Sequence, residues 1–346
     1  VATEAPPVER ADVPPLARKR LRPWDAAFHG FVLFAITVAL GALFWLFAVV
    51  LWQGLPGLTM EFLTNNPSRL SPESAGFYSP MIGSVVLMFW TALVAIPFGF
   101  AAAVYLEKLA PTSKDELQSW RRAIERRHAD SDATGLARLL GNARVSWARL
   151  WSRIGPRINN IVEVNISNLA AVPSIVYGLL GLALFVQIIG FQKSLFTGGI
   201  TLGLLVLPIV IVASREAVRA VPISIEQGAM ALGATKWQAV SRQVFPAALP
   251  GMLTGTILAM SRAIGETAPL VVFGGVLFAT QEASLNPLES FDSTLWAMPL
   301  QIFFWKFDAQ TKFQDLAAPA IIVLLVVLVL MNLTAILIRN KYSRRW

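Results

Sequence analysis

The sequence predicts an all-α polytopic membrane protein with about six transmembrane helices, and three observations predict it. Hydrophobic residues fill 55% of 346 positions and charged residues only 14%, with a mean hydropathy of +0.59. A soluble chain of this length would need more polar surface. The apolar residues are gathered into uninterrupted runs, and about 20 such residues span a bilayer. Helices satisfy the backbone polar groups of such runs without water. Basic residues alternate in density from one connection to the next, as topology demands.

Residues 1–25 are polar, with Pro6, Pro7, Pro14, Pro15 and Pro23, and read as a disordered tail. The first apolar run, Phe31–Trp52, is too long for a signal-peptide core and follows that polar lead, so it is expected to be a retained span. The second is Phe77–Leu106, and the two with their connection form a unit at 26–106. The third is Val164–Gln192, the fourth Ser194–Ser214 and the sixth Leu316–Ile338, all free of charge. The fifth, Val244–Thr280, is apolar except for Arg262 and Glu266. Residues 107–160 form a basic insertion, and 161–346 hold the remaining spans with a polar loop at 215–250.

Of 29 Lys and Arg residues, 24 fall in the tail, the insertion, the 215–250 loop and the C-terminus, and four in the remaining connections. This split predicts that both termini and both basic loops are cytoplasmic. The net charge of +8 then reflects topology, and no nucleic-acid partner is expected. The absence of Cys decides nothing about redox compartment. No G-x-x-x-x-G-K-S/T phosphate loop is present, nor H-E-x-x-H or G-x-S-x-G, so the chain is expected to be neither an ATPase nor a hydrolase. His29 and His128 read as surface residues rather than ligands.

Three connections have character. In the insertion, Leu136, Leu139, Leu140 and Trp147 recur at helical spacing, which suggests an amphipathic helix on anionic headgroups or a regulatory site. The segment Gln281–Asp315 contains LWAMPLQIFFWKFD, whose aromatics read as interfacial anchors or as a docking face. In Arg215–Leu249 the sequence predicts a helix, a break near Pro222, a second short helix and a turn at Gly233, with Pro246 and Pro250 marking entry into the fifth span. Its small residues Gly228, Ala229 and Ala231 permit close approach, either of another protein or within the chain.

Arg262 and Glu266 share a helix face at i, i+4. A central Arg is costly in a membrane and needs a partner or a wet cavity. The pair reads as a structural ion pair or as part of a path for something charged. Ser261 and Thr267 flank it, as path residues or as donors to local carbonyls. Pro173 either kinks the third span or breaks it, which would place Ser174 and Tyr177 beside a cavity. Gly251 and Gly255 form a G-x-x-x-G read as close helix packing, within the chain or against a second chain.

The 215–250 loop resembles the EAA loop of ABC-importer permeases. Gly228 and Ala229 fall on its two Ala positions, Gly233 on its Gly and Phe245–Pro246 on its L-P, while Gln227 replaces the usual Glu, Glu226 stands one position early and Gln243 takes the apolar position. ALGATKWQ, FPAALPGMLTG, SRAIGETAPL, NISNLAAVPSIVYGLLGLALF and LWAMPLQIFFW resemble the PstA-type permease subunits of phosphate importers, and the resemblance covers most of Asn165–Arg345. It implies a type I ABC-importer permease fold in a bacterial cytoplasmic membrane. The implied partners are a PstC-type permease in a heterodimer, two copies of a PstB-type ATPase, a PstS-type extracytoplasmic phosphate-binding protein, inorganic phosphate and membrane lipid. No cofactor is expected on this chain, because ATP and Mg would be used by the ATPase. Glu226, Gln227, Gly228, Ala229, Leu232, Gly233 and Ala234 are implied as the ATPase-coupling residues. Arg262, Glu266, Ser261, Thr267, Ser174 and Tyr177 are expected along the substrate path, Arg262 offering phosphate a planar fork and Glu266 keeping its affinity low. Other readings are a sulfate or molybdate permease, a channel, and a membrane scaffold that signals.

Overall fold

The computed structural model describes residues 23–68, 71–110, 146, 159–166, 168–273 and 284–342. Residues 1–22 of the expected tail and, apart from Ser146, the amphipathic helix at Leu136–Trp147 lie outside the described residues, while Pro23–Asp25, read as tail, already belong to the first helix. Among the described residues all regular structure is helical, apart from one isolated bridge between Ser194 and Thr294. Among the described residues five helices are long and apolar enough to cross a membrane, or six if one bent pair counts as a single span.

The chain divides into Val1–Trp52 and Gln53–Trp346. The first unit contributes nearly all of α1 (Pro23–Gly54), whose 32 residues extend about 48 Å. Apolar side chains such as Phe31, Phe44 and Trp45 stand exposed all along it. A helix apolar all round suits a hydrocarbon environment.

In the second unit, α2 (Met60–Thr64) is capped by the Thr59 hydroxyl, which accepts from Phe62 N at 3.1 Å. The long α3 (Tyr78–Val104) continues through one wide π turn to Leu109. The third apolar run is two helices, α4 (Asn159–Ala170) and α5 (Ser174–Gly181, extended by a wide turn to Ile188), bent by 110°. Pro173 is the physical reason, since it removes a donor to the carbonyl four residues back. That carbonyl belongs to Leu169, and it accepts instead from the Tyr177 hydroxyl at 2.8 Å. The third span is broken, as one reading of Pro173 expected.

Next come α6 (Leu195–Arg219), α7 (Ile223–Ala231) and α8 (Lys236–Ala239). Helix α8 runs on through a wide turn at Val240–Val244 into α9 (Phe245–Ile264). Pro246 and Pro250 were expected to mark the start of the fifth span, but the helical path begins at Lys236 and passes both. The wide turn at Val240–Val244 gives room around the Arg242 carbonyl, with which the Pro246 ring would otherwise clash.

The fifth span also ends sooner than the apolar run to Thr280 suggested. Helix α9 stops at Ile264, and a five-residue α10 (Ala268–Val272) follows. Pro269 disfavours a continuous helix through this point, because it cannot donate to the Gly265 carbonyl four residues back. The chain closes with α11 (Met298–Lys306), α12 (Thr311–Asp315) and α13 (Ala317–Tyr342).

Helix α6 is the central element, packed against α3, α5 and α9. Its Leu195, Leu202, Val206, Val210 and Val218 are fully buried. The G-x-x-x-G of α9 serves this packing: a Cβ at Gly251 would lie 2.8 Å from Ala217 Cβ, and one at Gly255 would overlap Ala213 Cβ. Of the two readings, packing within the chain therefore holds; these glycines let α9 approach α6 of the same chain.

The expectation for LWAMPLQIFFWKFD is corrected. Leu295, Trp296, Ala297, Met298, Leu300 and Trp305 are buried, while Phe303 and Phe307 are exposed. Trp305 packs on Phe62 and Phe77 with ring centroids 6.0 and 5.6 Å away, so most of this segment belongs to the core.

Candidate functional site

Two sets of residues carry the chemistry, one level with the middle of α6 and one at its Arg219 end. The depth of the first follows from packing. Ala213 meets Gly255 and Ala217 meets Gly251, so α6 and α9 run antiparallel. Continued for two turns, that register sets Arg262 level with Val206, about 20 Å from the Arg219 end of α6. Arg262 thus lies level with the middle of α6, in the last turn of α9.

There α9 ends, and Arg262 Nε donates to Glu266 Oε1 at 3.0 Å across the break. The two side chains differ sharply in exposure, 55% for Arg262 and 16% for Glu266. The contact uses Nε, so the terminal fork of the guanidinium faces open space. Both partners come from one short stretch, and the pair does not tie α9 to another helix.

The second break lies close by. A Cβ on Gly178 would come 2.7 Å from Pro269 Cα, so the first turns of α5 and α10 are pressed together. Tyr177 precedes Gly178 at this contact and Ser174 opens the same helix, while Thr267 and Glu266 stand two and three residues before Pro269. Ser174 and Thr267 are half-buried. Tyr177 is buried, with its hydroxyl committed to Leu169. Ser261 points elsewhere: its hydroxyl donates to Ile257 O at 2.7 Å and lies 2.6 Å from Asn332 Oδ1 on α13. Asn332 was missed in the sequence, although a lone amide inside an apolar run is a signal in itself.

At the other end, α6 and α7 are separated by Ala220–Pro222. Gly233 ends α7 with φ +90, a left-handed conformation that glycine adopts without strain. Thr235 and Gln238 then exchange side-chain and backbone hydrogen bonds at 2.9 and 3.3 Å, fixing the start of α8. The turn leaves Leu232 92% exposed, with Ile223, Met230 and Trp237 also outward. Gln227 and Gly228 are exposed, and a Cβ on Gly228 would touch nothing. Ala229 and Ala234 are half-buried.

Glu226, also expected in the coupling set, is the buried residue of α7. It is 8% exposed and pairs with Lys108 at 2.9 Å, so it faces inward, away from any partner approaching α7. Glu107, one residue earlier, receives both Nε and Nη2 of Arg219 at 3.0 Å. Arg215 reaches Glu163 at 2.8 Å and lies 3.5 Å from Glu107, the latter an ion pair without a hydrogen bond. Sequence reasoning missed this network, since it read these charges only for orientation.

Residues 145–345 match the family described as binding-protein-dependent transport system inner membrane component. The chain is 30% identical over 301 residues to the phosphate transport system permease protein PstA of Mycobacterium leprae, covering 86% of this chain and 82% of that one. It is 25% identical over 269 residues to the phosphate transport system permease protein PstC of Pasteurella multocida, covering 70% of each. The solved inward-facing MetNI methionine ABC transporter aligns at a TM-score of 0.49 and 14% identity, over 78% of this chain and 95% of that one.

Proposed function

Because the chain belongs to the family of binding-protein-dependent transport system inner membrane components, we propose that it is the PstA-type permease of an inorganic phosphate importer and forms half of the translocation path. The observation that carries this reading is Arg262: a half-exposed guanidinium level with the middle of α6, bonded through Nε and open at its fork. Such a charge is tolerated inside a membrane where it faces protein or a wet cavity. A planar fork suits the oxygens of phosphate. Glu266 holds the guanidinium when the path is empty and repels the bound anion, so that phosphate leaves. Two helix breaks supply irregular backbone on elements that touch at Gly178 and Pro269, an arrangement suited to a site within a cavity. Thr267 and Ser174 border it, and Tyr177 braces the break.

A PstC-type permease completes the path, with a PstS-type binding protein delivering phosphate from outside. Energy comes from two PstB-type subunits that use ATP and Mg, and they dock on the exposed Gln227–Ala234 surface with Leu232 as its apolar contact. Both termini and this surface face the cytoplasm, where most basic residues fall. The PstA relative, matched over more of the chain and at higher identity than PstC, favours this half of the pair.

The test of substrate is ATP-driven uptake of labelled phosphate into proteoliposomes holding the whole complex, with excess unlabelled sulfate or molybdate. Uptake that ignores both competitors supports phosphate. Uptake suppressed by either one would make this a permease for that oxyanion.

A further inference from the structure

Glu107 and Lys108 are consecutive residues at the end of α3, and they bind opposite sides of one hinge. Glu107 holds Arg219, the last residue of α6, through two hydrogen bonds of 3.0 Å. Lys108 holds Glu226, one turn into α7, at 2.9 Å. Between Arg219 and Ile223 lies Ala220–Pro222, where the helix is interrupted because Pro222 has no N–H to donate. Neighbouring residues on a helix point in directions about 100° apart, so two successive side chains can reach both arms of a bend.

The Lys108–Glu226 half of the network is shielded from water, whereas Arg219 in the other half is 53% exposed. Lys108 and Glu226 side chains are 14% and 10% exposed, and those of Arg215 and Glu107 are 14% and 16%. Arg215 extends it to Glu163 on α4, and Glu216 takes the remaining Nη of Arg219 at 3.1 Å. A partly buried ion pair is a weak source of stability, because desolvation offsets attraction. Breaking one is costly, so it fixes geometry strongly.

We infer that Glu107 and Lys108 form a clasp astride the Pro222 hinge, positioning α7 so that it moves together with the end of α3. Lys108 is a positioning residue: it sets the angle at which α7 presents Gln227–Ala234, and a push on that surface reaches α3 through the Lys108–Glu226 pair. The inward-facing Glu226 is then an internal strut and makes no contact with the ATPase. This inference rests on the proposed reading of Gln227–Ala234 as the surface the ATPase pushes.

The test compares Lys108→Glu, Glu226→Lys and the exchanged double variant in the complete complex, reading phosphate transported per ATP hydrolysed. Each single variant is expected to lower that ratio roughly tenfold, within the range of coupling between sites, and the double variant to restore most of it. A pair that served folding alone would change yield and leave the ratio untouched, and that result overturns the inference. So does a double variant no better than the singles.

Should the single variants fail to assemble, the chain's lack of cysteine allows a second measurement. Lys108→Cys with Glu226→Cys, joined by a short bifunctional thiol reagent, should keep transporting, because the two ends move as one. Arrest on cross-linking would show that α7 must part from α3. Leu232→Glu is the control for the underlying reading: if it leaves ATPase association unchanged, the docking surface is wrong whatever the clasp does.

Discussion

Arg262 and Glu266 are bonded at 3.0 Å across the point where α9 stops, with the cation exposed and the carboxylate half-buried. That asymmetry separates their roles. In the proposed mechanism the guanidinium meets the passing anion, and the carboxylate is the group that this anion displaces.

Glu266→Gln should therefore assemble and bind phosphate in the path, yet release it more slowly. The expected result is a roughly threefold fall in ATP-driven turnover at saturating phosphate, the scale of one partly exposed charge contact. Uptake kinetics in proteoliposomes measure it, and a turnover equal to or above that of the parent chain would remove Glu266 from the mechanism.

Packing of α9 on α6 gives a contrast between two glycines. At Gly255 an added Cβ would overlap Ala213, whereas at Gly228 it would meet nothing. Gly255→Ala is expected to destabilise by about 1–3 kcal/mol through overpacking. Gly228→Ala should stabilise α7 by up to about 1 kcal/mol through helix propensity. Thermal unfolding of the purified complex in detergent distinguishes the two. If Gly228→Ala also weakens ATPase association, the methyl group has filled space the partner needs.

Ser261 was expected beside the path, but its hydroxyl is engaged with Ile257 and Asn332. Ser261→Ala should leave phosphate uptake near the parent rate. A double-mutant cycle with Asn332→Ala should give a coupling of about 0.6 kcal/mol, typical of hydrogen bonds between membrane helices. A collapse of transport in Ser261→Ala alone would return this residue to the path.

Much of the fold was legible because membrane spans announce themselves by the length of their uncharged runs. The break at Pro173 was legible too, since the missing N–H is written in the sequence. The break after Ile264 was harder to see. Gly265 is a weak signal inside an apolar run, and Pro269 four residues on does not by itself mark a stop, since Pro97, Pro208 and Pro250 stand inside helices. The partner of Gly251 and Gly255 was illegible, because G-x-x-x-G declares a close approach without naming what approaches. The Lys108–Glu226 pair was equally hidden, joining residues 118 positions apart. The Arg262–Glu266 contact was anticipated from i, i+4 spacing on a helix, but Glu266 lies beyond the end of α9 and the pair closes across the break.

The central claim is that Arg262 lies on the route of phosphate. The most direct measurement is ATP-driven phosphate uptake by proteoliposomes with Arg262→Gln in place of the parent chain, after confirming that the variant complex is whole. Uptake should collapse while ATPase association remains. Uptake at the parent rate from a fully assembled Arg262→Gln complex would contradict the claim and leave the pair a purely structural bond.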